Sequence, residues 1–180
     1  NGCKNLTQIS PFPANAKVTD INACFYECES LTQVPALPAS VTDINNCFRK
    51  CKNLTQAPEI PASVTQMVGC FYECAKLTKA PSTIPKDVTN LHTCFYNCRK
   101  LTKAPVIPKG VTFMKYCFKF CGELTEVTLE CNYGGSNNFK EAFQSCDKLT
   151  AGTIKVPQGQ LSAYQAAADD MGTTADRFVE

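Results

Sequence analysis

The sequence predicts a solenoid, in which short repeats stack side by side around one continuous hydrophobic core. The dipeptide Leu-Thr recurs with spacings of 23 to 25 residues, and four whole units align almost without gaps, from Cys24, Cys47, Cys70 and Cys94. A unit of this length is too short to fold alone, so each unit must bury its apolar face against the next. We call each unit a rung. About seven rungs are predicted, one at each leucine of Leu-Thr: Leu6, Leu31, Leu54, Leu77, Leu101, Leu124 and Leu149.

The composition fits a single folded domain. Hydrophobic residues make up 44% of the 180 residues and charged residues 19%, so the chain is too apolar for disorder and too interrupted by charge for a membrane span. The net charge is +2, but residues 75–120 hold nine basic residues and one acid, whereas residues 121–180 hold nine acids and four basic residues. Because a sustained positive stripe is missing, we expect no nucleic-acid binding, and we expect no membrane insertion.

Each rung has three parts with different predicted backbones. The Cys-Phe-x-x-Cys segment has apolar residues at i, i+1 and i+4, which is typical of one helical or 3₁₀ turn. The segment after Leu-Thr carries paired prolines, such as Pro35 and Pro38, and should be extended with few ladder hydrogen bonds because proline lacks the amide hydrogen. The Val-Thr-x-Ile segment predicts a short strand that pairs in parallel with its neighbours. Its valines are Val18, Val41, Val64, Val88 and Val111.

The C-terminal part departs from the repeat. A Gly-Gly loop around Gly134 interrupts the sixth rung. The segment LSAYQAAADDM has helix-forming composition, with Leu161 and Tyr164 near one face. We therefore expect residues 1–159 to form the array and residues 160–180 to form a helix that caps the open end of the core within the same domain.

The order of motifs resembles that of the BspA-like leucine-rich repeats, also called the treponemal class. Leu-Thr, Ile-Pro, Val-Thr-x-Ile and Phe-x-x-Cys follow one another over roughly residues 3–157. The resemblance implies a leucine-rich-repeat solenoid, an α/β-type right-handed superhelix with short parallel strands, extended segments and short helical turns, and a C-terminal helical cap. Five rungs have Cys-Phe where that family has Ala-Phe, and only Ala142-Phe143 keeps the usual form.

The same resemblance implies a function. Members of that class are mostly secreted or surface-anchored, and several are adhesins. We therefore expect a non-catalytic, secreted or cell-surface protein that adheres to host or matrix macromolecules through its outward-facing columns, with an extracellular protein or glycan as ligand. The alternative is a structural spacer or assembly repeat within a larger surface protein. Because the chain begins inside a repeat, we expect it to be a processed or trimmed fragment.

Thirteen cysteines in a chain of this size favour an oxidising compartment. Neighbouring rungs lie about 4.8 Å apart, within the Cα separation of about 4.4 to 6.8 Å that a disulfide tolerates. One hypothesis is therefore a ladder of disulfides between adjacent rungs. The alternatives are a column of reduced, buried thiols or bonds within one motif, such as Cys24 with Cys28. The ladder pairs are Cys3–Cys24, Cys28–Cys47, Cys51–Cys70, Cys74–Cys94, Cys98–Cys117 and Cys121–Cys131.

We expect no enzyme, cofactor or metal site. His92, the single histidine, stands at a position that Asn22, Asn45, Val68 and Lys115 occupy in other rungs, so it lacks the fixed partners of a catalytic base. No phosphate-binding or dinucleotide-binding glycine motif is present. Zinc binding by the Cys-x₃-Cys units is disfavoured because the phenylalanine inside each motif should point inward.

Three groups of outward residues are candidates for binding. The position after the motif phenylalanine forms an aromatic–cationic column of the kind enriched in binding hot spots, although its rings could also simply pack on one another. A basic cluster around two Leu-Thr corners could meet an anionic partner or could be an ordinary solvated face. The third is the sixth-rung loop, residues 133–138. The column is Tyr26, Arg49, Tyr72, Tyr96 and Lys119, the basic cluster is Lys76, Lys79, Arg99, Lys100 and Lys103, and the loop contributes Tyr133.

Overall fold

The computed structural model describes residues 2–13 and 15–180, and Asn1 and Ala14 of the predicted array lie outside this part. Equivalent positions of successive rungs lie side by side. Asp20 pairs in parallel with Asp43, and Asp43 pairs in the same way with Gln66. The predicted solenoid of stacked rungs is therefore confirmed.

A ladder of phenylalanine rings runs through the core. Neighbouring rings stack nearly parallel, with centroids 5.4 to 6.1 Å apart. The Leu-Thr leucines from Leu31 onward, the Val-Thr valines from Val41 onward and eleven cysteines are also buried, whereas Cys3 and Cys24 are exposed. The offset, nearly parallel stacking of the phenylalanine rings is a favoured arrangement for aromatic pairs. The ladder consists of Phe25, Phe48, Phe71, Phe95, Phe118 and Phe143.

The turn segment, the ten-residue part of each rung that contains the cysteine motif (residues 21–30 in the first whole rung), is a run of β-turns. The amides of Cys24 and Cys28 donate to carbonyls three residues earlier, whereas those of Ala23, Phe25 and Glu27 donate to carbonyls of the next rung. Ala23 and Glu27 have φ values of 50° and 58°, which a right-handed helix excludes. The predicted helical or 3₁₀ turn is therefore replaced by β-turns, because alternate amides bond outside their own rung.

Regular strands form only towards the C-terminus of the described residues. They are β1 (Val127–Thr128), β2 (Ile154–Lys155) and β3 (Phe178–Val179), which pair in parallel in the order β1-β2-β3. The Val-Thr segments, which were predicted to be strands, contribute only single bridges, such as Asn90 with Phe113. Val41 and its equivalents instead donate to a proline carbonyl in their own rung, so a continuous ladder cannot start there.

The position of β1 follows from the absence of proline. The sixth rung has no proline in its extended segment, so Val127 donates to the Thr153 carbonyl at 3.0 Å and Leu129 to the Lys155 carbonyl at 2.8 Å. A proline would remove one of these donors. The proline-rich rungs make isolated bridges on this side, such as Gln56 with Lys79, which agrees with the predicted weakly hydrogen-bonded segment.

The helices are short: α1 is Ser136–Phe139, α2 is Leu161–Ala166, and a 3₁₀ turn spans Ala175–Arg177. The helix predicted for residues 160–180 is thus limited to α2. The chain after α2 stacks on the preceding turn segment, where the Asp170 and Met171 carbonyls accept hydrogen bonds from that rung. The role of residues 160–180 as a cap stays a prediction.

Candidate functional site

The aromatic–cationic column is continuous over its middle three members. The Arg49 guanidinium lies 3.7 Å from the centre of the Tyr72 ring, and Tyr72 stacks on Tyr96 with centroids 4.6 Å apart and an interplanar angle of 3°. All three side chains are partly exposed, and burial raises the pKa of Tyr72. The column therefore presents a stacked cation–aromatic surface, which combines contact area with little side-chain freedom.

The two end members of the column have other partners. Tyr26 lies beside the Lys50 ammonium, 5.6 Å from its ring centre. Lys119 forms an ion pair with Glu141, and its ammonium lies 5.1 Å from the centre of the Phe120 ring. The structure thus brings together Arg49, Tyr72 and Tyr96, but neither Tyr26 nor Lys119 extends their stack.

Phe120 extends the aromatic surface instead, and the sequence reasoning missed it. Its ring meets Tyr96 edge-on, with centroids 5.5 Å apart, and its side chain is 39% exposed. The equivalent position in other rungs carries polar residues, including Glu73 and Asn97. One apolar residue in an otherwise polar column was the signal that could have identified it.

A groove of about 430 Å³ opens beside Tyr96 and Phe120. Arg99, a member of the basic cluster, lies in this groove, and its Nε donates to Asn97 Oδ1 at 2.8 Å. The groove combines two aromatic rings with hydrogen-bond donors and acceptors of both charge signs. Its lining residues are Glu73, Tyr96, Asn97, Arg99, Phe120, Gly122, Ser145 and Asp147.

The remaining basic cluster is exposed and is not gathered into one site. Lys103 forms an ion pair with Glu126 at 2.7 Å, which raises the pKa of Lys103 and lowers that of Glu126. Lys79 and Lys103 lie along a smaller groove of about 260 Å³, whereas Arg99 faces the aromatic one. Lys76 and Lys100 are exposed, which fits both a binding surface and a solvated charged face.

Tyr133 lies against the interior of the C-terminal part. Its ring contacts Phe139 and Tyr164 edge-on, with centroids 5.4 and 5.6 Å away, and its hydroxyl reaches Ser136 Oγ at 3.4 Å. The ring is partly buried. These contacts give Tyr133 a packing role.

The eleven buried cysteines, from Cys28 to Cys146, are thiols in the structure, so the disulfide ladder is not formed there and remains a hypothesis. From Cys51 onward, each second-position thiol donates to the carbonyl of a motif phenylalanine in the preceding rung, as Cys74 does to Phe48 and Cys98 to Phe71, both at 3.1 Å. Burial raises the pKa of these thiols, to about 12 for Cys51. Buried thiols of raised pKa are poor nucleophiles.

His92 is partly buried and has a structural environment. Its Nδ1 lies 3.1 Å from the Lys115 carbonyl, its ring meets Phe113 edge-on, and burial lowers its pKa. In residues 2–13 and 15–180, no group of three or more His, Cys, Asp or Glu side chains could hold a metal ion. Over the same residues, no helix has the length and hydrophobicity to cross a bilayer.

The sequence profile of the BspA type leucine rich repeat region matches residues 1–93 and 47–166, in six copies. The chain belongs to this family. Proteins with this repeat are typically surface-associated, protein-binding and non-catalytic, and the predicted leucine-rich-repeat fold is confirmed. No curated protein is significantly similar to the chain.

Solved structures of bacterial leucine-rich-repeat proteins share the fold. A leucine-rich repeat protein from Bacteroides ovatus is 25% identical with a TM-score of 0.63, over 84% of this chain and 39% of that one. The Treponema pallidum leucine rich repeat protein is 21% identical with a TM-score of 0.64, over 89% of this chain and 81% of that one. A leucine rich cell surface protein from Faecalibacterium prausnitzii is 21% identical with a TM-score of 0.53, over 88% and 50%. The chain therefore spans less than half of the Bacteroides protein.

Proposed function

We propose that this chain is a non-catalytic binding module of a secreted or cell-surface protein, which adheres to host or matrix macromolecules through the face formed by its turn segments. The observation that carries the proposal is the partly exposed stack of Arg49, Tyr72 and Tyr96 beside an open groove. Tyrosine and arginine dominate the binding energy of many interfaces. The family and its cell-surface relative support the location.

The proposal is tested by a binding screen of the purified chain against extracellular-matrix proteins and host glycans. For a partner found in the screen, Tyr96→Ala should weaken binding roughly tenfold or more, because it removes the ring between Tyr72 and the groove. Tyr26→Ala is the matched control, since Tyr26 stands at an equivalent position outside the stack. Equal binding by the wild-type chain, Tyr96→Ala and Tyr26→Ala would exclude the stack of Arg49, Tyr72 and Tyr96 as the binding surface.

A second candidate is a structural spacer, favoured by the regular backbone hydrogen bonds that join each rung to the next. The chain also spans only 39% of the Bacteroides protein, so another part of such a protein could hold the binding site. Deleting one whole rung, residues 47–69, removes Arg49 from the aromatic–cationic column but keeps the stacking of the remaining rungs. Unchanged partner binding by the parent protein that carries this deletion or Tyr96→Ala would favour the spacer over the binding module.

A further inference from the structure

Phenylalanine is an unfavourable residue for the stability of the folded chain at position 120. Its φ is 65°, in the left-handed region that is unfavourable for bulky residues, and its side chain is 39% exposed. Asn97 occupies the same position one rung earlier, also with positive φ, and asparagine tolerates this conformation well. Positive φ recurs at this position from Glu27 to Ser145, so what distinguishes Phe120 is an exposed aromatic ring beside a groove where other rungs carry polar residues, which favours a role in binding.

The polar side chains around Phe120 restrict the chemistry of the ligand. Glu73 and Asp147 bring carboxylate acceptors, and Arg99 brings guanidinium donors. Asn97 Oδ1 is already engaged by Arg99, so its amide hydrogens remain as donors. The two carboxylates would repel a phosphate or sulfate group, and a wholly apolar ligand would leave buried polar groups without partners.

The groove also has the dimensions of a small-ligand site. Its volume of about 430 Å³ falls within the range of about 300 to 1,000 Å³ that is usual for such sites. The hydroxyl groups of a neutral sugar both donate and accept hydrogen bonds, and its ring presents an apolar C–H face. These two properties match the mixed donors and acceptors of the groove and the exposed aromatic ring of Phe120.

We propose that the groove between Tyr96, Phe120, Arg99 and Asp147 binds a neutral saccharide unit, with the sugar ring packed on Phe120 and its hydroxyls bonded to the surrounding polar groups. The proposal deepens the proposed function and rests on it, because it assigns a glycan to the turn-segment face. Nothing in this arrangement requires a metal ion.

The test measures binding of the whole chain to neutral hexasaccharides of glucose, mannose, galactose and N-acetylglucosamine by isothermal titration calorimetry. At least one should bind with a Kd below about 1 mM. Phe120→Asn removes the ring and relieves the backbone, and Asp147→Asn removes one carboxylate at constant shape. Each should weaken binding about tenfold or more, whereas Val106→Ser, at the other large exposed apolar residue, should leave it unchanged.

Three outcomes would overturn the proposal: no binding to any neutral hexasaccharide, binding that Phe120→Asn leaves unchanged, or binding only to a sulfated heparin hexasaccharide included as the anionic probe. Circular dichroism and a thermal melt of Phe120→Asn establish that a loss of binding is not a loss of fold. If a protein partner depends on Tyr96 while every neutral saccharide fails, the saccharide inference fails and the proposed function stands. If both fail, neither the stack nor the groove is the binding site, and the proposed function fails as well.

Discussion

Left-handed backbone conformations occur twice in most turn segments, and few of these residues are glycine. Thr93 and Tyr116 have φ values of 50° and 59°, although β-branched and bulky residues disfavour this region. Each of these residues donates its backbone amide to a carbonyl of the next rung, as Thr93 does to Lys115. The hydrogen bonds between rungs therefore hold conformations that the local sequence does not favour.

Gly172→Ala should destabilise the protein by about 2 kcal/mol or more beyond the cost of positive φ alone. Gly172 has a φ of 70°, and an added Cβ would lie 2.7 Å from Gln144 Cβ and 3.1 Å from its backbone nitrogen. Gly159→Ala is the matched control, because Gly159 has a φ of 78° and open space around it. Urea unfolding of both variants measures the difference. Equal losses of unfolding free energy would contradict the close approach of Gly172 to Gln144.

Among the secondary-structure elements, the regular strands begin where the repeat loses its prolines. β1 and β2 lie in the part of the rung that carries paired prolines elsewhere, and the Val127 amide supplies a bond between them. The valine, proline and cysteine columns are all visible in the sequence. The proline-free rung is the one that develops a ladder on this side.

Val127→Pro should lower the unfolding free energy by about 3 kcal/mol or more, because it removes the amide that donates to Thr153 and places a proline inside a parallel ladder. Val127→Thr keeps the amide and the branched shape, although its buried hydroxyl carries a smaller cost. Chemical denaturation of the two variants provides the comparison. A proline variant as stable as the threonine variant would show that the β1–β2 ladder contributes little.

Deleting residues 160–180 tests the capping prediction. Tyr164 is buried and its hydroxyl donates to the Cys131 carbonyl at 2.8 Å, and Phe178 meets Phe143 of the ring ladder. Removing both rings should expose the end of the core, lower the denaturation midpoint and increase binding of the dye ANS. Tyr164→Phe in the full chain should cost only about 1 to 2 kcal/mol. A truncated chain that melts like the full chain would exclude a capping role.

At the scale of the whole molecule, the thiols link stability to pH. Burial raises the pKa of eleven cysteines in the folded chain, whose thiols in the unfolded chain titrate near pH 8.5. Between that pH and the folded pKa, the folded chain binds more protons than the unfolded chain. The contribution of the thiols to stability is therefore complete below about pH 8.5 and is lost as the pH rises.

We expect the unfolding free energy to fall between about pH 9 and 10, by about 1.4 kcal/mol per pH unit for each buried thiol that titrates only in the unfolded chain. Urea unfolding without reductant measures the slope, and the double variant Cys74→Ala and Cys98→Ala should reduce it. A flat profile would favour the disulfide ladder. Alkylation of the denatured, unreduced chain gives an independent count: thirteen modified cysteines for free thiols, and one for the ladder.

The repeat made the solenoid and its buried columns predictable, because identical offsets for Phe48, Phe71 and Phe95 place their rings in one stack. The β-turns were not predictable, since residues such as Glu27 and Lys50 carry no local preference for positive φ and adopt it through bonds to the next rung. Tyr72 and Tyr96 were predictable as surface candidates because both follow the motif phenylalanine in the aligned rungs. The groove was missed because it combines residues from three repeat positions in four rungs.

Most backbone hydrogen bonds between turn segments point one way. In each rung alternate amides of this segment donate to carbonyls of the following rung, as Ala23 does to Asn45 and Phe25 to Cys47, whereas the last amide of the segment donates back, as Ser30 does to Lys4. Their peptide dipoles therefore add along the superhelix axis on this face, as in an α-helix, but with the positive end towards the C-terminus. Asp169 and Asp170 lie at that end, exposed. The acidic C-terminal third of the chain thus complements an electric polarity that the backbone itself creates.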